Sequence, residues 1–153
     1  MRCWLTRSLT LLLVVVAVSA PMETTAHSGA KGIVKERMDA MTEMQQAMKA
    51  LHAMLSGSKA MSTAAAAQHA KVIRSHAGNA MTRQFPDGSL EHPSEALPSI
   101  WERWPEFQRR AAGLEEDAVL LLEAIEQAGG WEDQFRRVAA SCKSCHTDFK
   151  KRK

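Results

Sequence analysis

The amino-acid sequence predicts an all-α protein with four main helices. Alanine, methionine, leucine, glutamate and lysine dominate its composition, and all of these residues favour helix. Tyrosine is absent, and runs of β-branched residues are scarce after the first 26 residues, which disfavours sheet. Stretches containing glycine or proline then divide the remaining chain into segments of helical length.

The first 26 residues have the pattern of a secretory signal peptide. Two arginines precede an apolar run over 9–18, and the small residues at 24–26 resemble a cleavage site. Residues 18–20 offer a second cleavage site, which the following proline weakens. The apolar run is short for a membrane span, so an uncleaved anchor is the disfavoured alternative. We expect residues 1–26 to be removed and residues 27–153 to form one exported domain.

Two helices are predicted before a long loop. The first should cover 30–55 and end at Gly57, with its apolar side chains on one face at helical spacing. That face holds Ile33, Met41, Met44, Met48, Leu51 and Leu55. The second should cover 59–79, and its many alanines permit a neighbouring helix to approach closely. Gly78 and Asn79 are its expected stop signals.

The long loop is predicted over 81–98, where Phe85-Pro86-Asp87-Gly88 is followed by two more prolines. Loops of this length in small domains often line a functional site. Ser99 and Glu102 have the spacing of a capping box and should open the third helix. The main part of that helix should begin at Trp104 or at the proline after it and continue to residue 127.

The fourth helix is predicted over 131–150, after the break at Gly129-Gly130. His146 lies on the flank of its apolar stripe, which holds Trp131, Phe135, Val138, Cys142, Cys145 and Phe149. Both cysteines should therefore face the interior of the bundle and not the solvent.

Cys142-Lys143-Ser144-Cys145-His146 is the C-x-x-C-H signature of c-type haem attachment. On a helix, Cys142 and Cys145 are one turn apart, so both sulfurs can reach one side of the macrocycle and form thioethers. His146 follows directly and is the expected axial ligand of the iron. The sequence therefore predicts one covalent haem c per chain, packed between helices.

Two other interpretations of the cysteine pair are weaker. A thioredoxin-like redox pair belongs in a βαβ pattern, which the surrounding sequence lacks. A structural zinc site needs four ligands, and the sequence has no second C-x-x-C pair and no histidines at finger spacing. Cys3 leaves with the signal peptide, and haem uses the other two cysteines, which fits a periplasmic location.

The charge balance argues against a nucleic-acid-binding protein. Without residues 1–26 the chain has 18 basic and 16 acidic residues, a net charge of about +2 that two haem propionates would nearly cancel. The tail Lys150-Lys151-Arg152-Lys153 is a local basic patch. It suits the negative end of a helix macrodipole, and docking to an acidic partner is its alternative role.

The second axial ligand must come from elsewhere in the chain. Methionines at helical spacing usually fill a core, which accounts for most of those present. Arg37, however, lies on the apolar face of the first helix, four residues before Met41. A haem propionate would balance its charge and place Met41 beside the ring. The alternative is that Arg37 extends to the end of the bundle.

Together these residues resemble the class II cytochromes c, the cytochrome c′ family. The resemblance covers about 31–153 and is strongest in four blocks: 34–51, 85–89, 96–101 and 140–150. Haem attachment near the C-terminus is itself characteristic of class II, because class I cytochromes carry it near the N-terminus. The resemblance implies an antiparallel four-helix bundle with a covalently bound c-type haem.

The resemblance also implies roles for individual residues. His146 is the proximal ligand, and Met41 stands where the low-spin members of the family place a methionine. The high-spin members have a bulky apolar residue there, beside a vacant sixth site. Met38 replaces a common glutamine and is a rival thioether, and Lys150 is at a basic position near the proximal histidine. His52 is about three turns from Met41, so a distal acid or base for peroxidase chemistry is not expected.

The expected function is one-electron transfer between periplasmic redox proteins, without enzyme activity. In this interpretation Cys142, Cys145 and Arg37 bind the haem, and His146 and Met41 bind its iron. The alternative is a five-coordinate cytochrome c′ that binds nitric oxide or carbon monoxide. The family also implies a homodimer through the first two helices.

Overall fold

The computed structural model describes residues 29–127 and 129–152, which are mainly helical. The helices are α1 (Gly32–Leu55), α2 (Thr63–Ser75), α3 (Gly78–Thr82), α4 (Ser99–Glu102), α5 (Trp104–Glu126) and α6 (Glu132–Phe149). The four long ones, α1, α2, α5 and α6, form a four-helix bundle, and the short α3 and α4 lie between α2 and α5 in the chain. The predicted all-α fold is confirmed.

The predicted signal peptide, residues 1–26, lies outside the described residues. Among the helices that the structure does describe, none has the length and apolarity needed to cross a bilayer.

Helix α1 begins and ends close to the predicted positions. Beyond its last turn, Gly57 has a φ of +73°, and its amide donates a hydrogen bond to the Met54 carbonyl at 3.3 Å. The buried face is rotated relative to the prediction and consists of Val34, Arg37, Ala40, Met44, Ala47, Leu51 and Met54. Met41 and Met48 are therefore only half-buried, at the edge of the core.

The predicted second helix, 59–79, is four residues too long at each end. Helix α2 stops at Ser75, and Gly78 and Asn79, which we expected to end it, begin α3. At the other end Ser62 caps α2, because its hydroxyl accepts a hydrogen bond from the Ala65 amide at 3.3 Å. A glycine with a positive φ permits a sharp change of direction, so it can start a new helix as well as end one.

Gly78 should tolerate alanine poorly. Its φ is +56°, and an added Cβ would collide with the Glu115 carboxylate, whereas Gly57 has a similar φ and open space around it. We expect Gly57→Ala to cost about 1–2 kcal/mol from backbone strain, and Gly78→Ala to cost about 0.5 kcal/mol more, because the flexible, exposed Glu115 side chain must move aside. Thermal unfolding of both variants, with and without Glu115→Ala, checks this. If Glu115→Ala leaves the gap between the two unchanged, the collision is not its cause.

Ser99 and Glu102 do not form the predicted capping box. No side chain caps α4, and the Ser99 hydroxyl instead donates a hydrogen bond to the Asp148 carbonyl at 2.8 Å. The main helix α5 begins at Trp104 with Pro105 in its first turn, as predicted. The start of the third helical region is thus tied to the end of α6.

An aromatic cluster joins the loop, α5 and α6. Phe107 is at its centre, with ring centroids 4.8 Å from Phe85, 5.4 Å from Phe149 and 5.5 Å from Trp104. On the other side of the bundle, buried alanines let α2 pack closely against α1 and α5. Helices α1 and α6 touch only sparsely, because a cavity lies between them.

Candidate haem site

The cavity between α1 and α6 has a volume of about 550 Å³. This is within the range of pockets that bury an organic cofactor. Its lining includes all three chemically active residues of the C-x-x-C-H motif, together with Met38, Met41, Met44, Met48 and Met81. The structure therefore places the predicted attachment residues of the motif and the predicted sixth ligand, Met41, around the same cavity.

The two cysteines are half-buried free thiols on α6, and both line the cavity. This confirms that they face the bundle interior. Burial raises the pKa of the Cys142 thiol and raises that of Cys145 to about 11. Both groups are therefore protonated thiols at neutral pH.

His146 lies on the flank of α6 and borders the same cavity, although its side chain is more exposed than the two cysteines. Desolvation lowers the pKa of its imidazole, and the charge of Lys150 lowers it further. A lowered pKa keeps the ring neutral at physiological pH, which is the form that binds a metal. Lys150 is thus near the histidine, where the family resemblance placed it.

Helix α1 forms the wall of the cavity that faces α6. Met38 and Met41 are half-buried on this wall, whereas Met44 is buried in the core. A thioether is a soft ligand that suits haem iron. The position of Met41 fits the expected sixth ligand, and Met38 lies close enough in sequence to compete with it.

Arg37 is a buried cation in the cavity wall, with only 3% of its surface exposed. Its guanidinium donates hydrogen bonds to the Ser89 carbonyl at 2.9 Å, the Ser94 hydroxyl at 3.1 Å and the Ser89 hydroxyl at 3.4 Å. It also lies 4.4 Å from the centre of the Phe85 ring. Burial lowers the pKa of Arg37, and the charge of Glu91 opposes that shift.

The guanidinium of Arg37 therefore points inward, and the alternative that it extends to the bundle end is wrong. Its hydrogen bonds within the described chain go to neutral oxygens. Glu91 is near enough to act on its charge but forms no ion pair with it in the described ranges, so the buried cation favours a closer anionic neighbour. The propionate of a haem is such a group, so the residues of this cavity fit the cofactor that the motif implies.

Arg110 is a cavity residue that the sequence did not reveal. Its guanidinium donates to the Ser144 carbonyl at 2.6 Å and to the carboxylates of Asp148 and Glu106 at 2.5 Å each. These bonds hold the α6 turn that carries Cys145 against α5. No local pattern could have indicated this, because Arg110 is 34 residues away from Ser144 in the chain.

The loop before α4 binds the C-terminal end of α6, just after the turn that carries Cys145. The Leu97 amide donates to the Phe149 carbonyl at 3.0 Å, and the Lys151 amide donates to the Glu95 carbonyl at 2.8 Å. The Lys150 ammonium lies 3.0 Å from a Glu95 carboxylate oxygen. The prediction that this loop lines the site is confirmed, since the cavity includes Ser94, Glu95 and Ala96.

The structure also bears on the two weaker interpretations of the cysteine pair. Across residues 29–127 and 129–152 the one β-type pairing is an isolated bridge between Ala96 and Lys150, so this region has no βαβ unit for a thioredoxin-like site. In the same ranges no three His, Cys, Asp or Glu side chains gather as zinc ligands would.

An all-α bundle whose last helix presents C-x-x-C-H to an internal cavity defines a c-type haem protein of class II. The family model described as Cytochrome C′ matches residues 32–150 of this chain. A cytochrome c-556 of Agrobacterium fabrum is 35% identical over 126 residues, which cover 81% of this chain and 84% of the relative. The chain belongs to the cytochrome c′ family, and its cofactor is a covalently bound haem c.

Solved structures agree with this assignment. A ferrous variant of the cytochrome c′ of Alcaligenes xylosoxidans with bound NO is 26% identical, with a TM-score of 0.68 over 79% of this chain and 94% of that one. A second cytochrome c′, described as having an unusual ligand-controlled dimer dissociation, is 20% identical, with a TM-score of 0.71 over 78% and 95% of the two chains. The second likeness concerns the fold alone.

Proposed function

We propose that this member of the family is a periplasmic one-electron carrier with His/Met ligation. Cys142 and Cys145 hold the haem by thioethers, and His146 and Met41 are its axial ligands. The observation that supports this most is the position of Met41, which lines the same cavity as the C-x-x-C-H motif but from the facing helix. Members of the family transfer electrons or bind gases. A methionine on the sixth coordination position of the iron favours electron transfer, because it leaves no free position for a gas.

The bound haem supplies a one-electron couple, and the residues around it set its properties. The neutral imidazole of His146 is available for coordination, and a methionine ligand raises the reduction potential. The largely apolar cavity wall lowers the local polarity, which also affects the potential. No substrate bond is made or broken in this function, so the protein is a carrier and not an enzyme.

Arg37 has two roles in this proposal, as a link between α1 and the loop and as the partner of a haem propionate. We expect Arg37→Met to destabilise the fold by about 1–3 kcal/mol, because the Ser89 carbonyl and the hydroxyls lose their donor. It should also raise the pKa of the propionate, so that the pH dependence of the midpoint potential moves to higher pH. Potentiometry between pH 5 and 9 measures this shift.

Ser94→Ala is the matched control for Arg37→Met, because it removes one loop contact and leaves the cation in place. It should lower stability without moving the pH profile. If Arg37→Met also leaves the profile unmoved, Arg37 acts on the loop alone and is not a propionate partner.

Location and assembly follow from the sequence and the family. We propose that residues 1–26 are a signal peptide, that residues 27–153 fold in the periplasm, and that other periplasmic redox proteins are the partners. We also propose a homodimer through α1 and α2. Exposed alanine at the start of α2 and the exposed Met61 just before it would allow close contact there. Light scattering of the purified protein tests this assembly.

The second candidate function is binding of nitric oxide or carbon monoxide at a five-coordinate iron. It is favoured by the NO-bound relative and by the incomplete burial of Met41, which leaves that side chain room to move. An absorption spectrum separates the two functions. A low-spin ferric spectrum with a weak methionine–iron band supports the carrier, and a high-spin spectrum that changes on addition of NO supports gas binding.

A further inference from the structure

Charge is distributed very unevenly along this chain. Residues 134–153 contain seven basic residues and one acidic residue, a net charge of +6. Residues 29–133 contain eleven basic and fifteen acidic residues, a net charge of −4. The entire positive excess therefore lies on the helix that carries the C-x-x-C-H motif and on the tail that follows it, which gives the molecule a charge dipole.

Four cations of this segment are both exposed and without an ion pair in the described ranges, namely Arg137, Lys143, Lys151 and Arg152. We call these four residues the basic face. Nearby basic residues differ, since Arg136 is paired with Glu132 and Asp133 and Lys150 with Glu95.

The one acidic residue of this segment does not neutralise the basic face. Asp148 is held by Arg110 at 2.5 Å and faces α5, and Arg103 lies 3.7 Å from it. The positive potential of the basic face is therefore directed to solvent. A local excess of this kind raises the rate of encounter with a partner of opposite charge by about 10- to 1000-fold.

The basic face is close to the candidate haem site. Lys143 lies within the attachment motif, and Arg137 precedes Cys142 on the same helix. A partner seated on the outside of α6 is separated from the cavity by little more than the ~10 Å diameter of one helix. Electrostatic attraction to this face would therefore bring a redox centre towards the haem and not towards the remote α2 side of the bundle.

We propose that the basic face is the docking surface for an acidic redox protein. The inference rests on the proposed function, since it names the chemistry of the partner for electron transfer. A membrane surface is the less suitable occupant, because interfacial helices pair their cations with apolar side chains that insert into lipid. The large apolar side chains that are exposed in the described chain, Met61 and Leu120, belong to other segments.

The test is electron transfer from an acidic probe protein to the ferric holoprotein. A reduced plant-type ferredoxin serves, because its low reduction potential makes the reaction favourable. In stopped-flow experiments at about 10 mM ionic strength, we expect R137E/K143E/K151E to lower the bimolecular rate constant at least 10-fold. At about 0.5 M salt the difference should shrink to about twofold, because the charges are then screened.

The control is K59E/R74E/R83E, which makes the same change in net charge, and light scattering checks that it keeps the oligomeric state of the wild-type protein, because Arg74 lies on α2 of the proposed homodimer interface. These three residues are also exposed and without an ion pair in the described ranges, but they lie in or beside α2 and α3, which pack on α1 and α5. The control should slow the reaction by no more than about threefold. If both triple variants slow it equally, net charge alone is responsible and the docking proposal is wrong.

Two further measurements keep the result unambiguous. The variant R137Q/K143Q/K151Q removes the positive charges without introducing repulsion. It should lower the bimolecular rate constant by an intermediate factor, so the result does not depend on correct folding of the glutamate variant alone. Binding to phosphatidylglycerol vesicles at 0.15 M salt is measured in parallel. If the wild-type protein binds them and the glutamate variant does not, the face is a membrane site and the proposal of a protein partner is overturned.

The proposals on function and on docking can fail separately. A high-spin, NO-binding spectrum would overturn the His/Met carrier, whatever the ferredoxin rates. A low-spin spectrum combined with equal effects of both triple variants would overturn the docking surface alone. Measured midpoint potentials of all variants separate a change in driving force from a change in encounter rate.

Discussion

Replacement of both Cys142 and Cys145 by alanine should abolish covalently retained haem. The two thiols are the only ones left once Cys3 is removed with the proposed signal peptide, and both line the cavity. Without them no thioether can form, and the remaining link to the chain is the axial bond from His146. Haem staining after denaturing electrophoresis and the mass of the purified protein both measure the loss.

The same variant should lose its fixed tertiary structure. Once haem is lost from this variant, the walls of the cavity of about 550 Å³ lose the packing contacts that the cofactor makes with their largely apolar side chains, and water takes its place. The walls should therefore collapse or melt, and near-UV circular dichroism should show the loss of ordered aromatic packing while helical far-UV signal persists in part.

Three variants serve as controls for the double replacement. Cys142→Ala and Cys145→Ala should each retain haem through one thioether, and Ser144→Ala, in the same turn, should retain both links. The assignment of the attachment site would be refuted by a double variant whose haem resists extraction with acidified acetone.

Exchange of Met41 for leucine should convert a low-spin haem into a high-spin one. Leucine has nearly the same volume as methionine, so the cost to stability should be under about 1.5 kcal/mol, but it has no sulfur to coordinate iron. We expect the ferric spectrum to become high-spin, NO and CO to bind, and the midpoint potential to fall by on the order of 0.1 V. Absorption spectra with and without each gas, and potentiometry, measure these changes.

The neighbouring methionines on the cavity wall offer matched controls. Met38→Leu, Met44→Leu and Met48→Leu make the same chemical change within the same cavity and should leave the spectrum low-spin. A low-spin spectrum that survives Met41→Leu but is lost in Met38→Leu would assign the sixth position to Met38.

Helix location could be predicted well wherever the chain carries strong periodicity and a clear break. The limits of α1, α5 and α6 lie within two residues of the predictions, because glycine or proline stands near each of these ends except the C-terminal end of α6. The second helix was predicted too long, since a glycine is compatible both with a helix end and with the turn into α3. The predicted capping role of Ser99 is also wrong, because its hydroxyl donates a hydrogen bond to the distant Asp148 carbonyl on α6.

In the candidate site, too, features within one helix could be predicted and contacts between distant parts of the chain could not. The C-x-x-C-H motif is local, and one helix places its residues together, so sequence was sufficient to locate it. Ser89 and Ser94, which bind Arg37, lie 52 and 57 residues away from it, and Arg110 reaches α6 across 34 residues. Such contacts depend on how the helices and the loop pack, which no short pattern records.

By itself the sequence determined the fold class, the attachment signature, the direction in which Cys142 and Cys145 face, and the excess of positive charge near the C-terminus. These properties depend on residue type and on a period of 3.6, both of which act within one helix. The tertiary structure alone decided which wall of the cavity Met41 occupies, that Arg37 turns inward, and which cations stay free for a partner. Those outcomes depend on the packing of α1 against α6 and the loop, where burial and pairing are set by residues far apart in the chain.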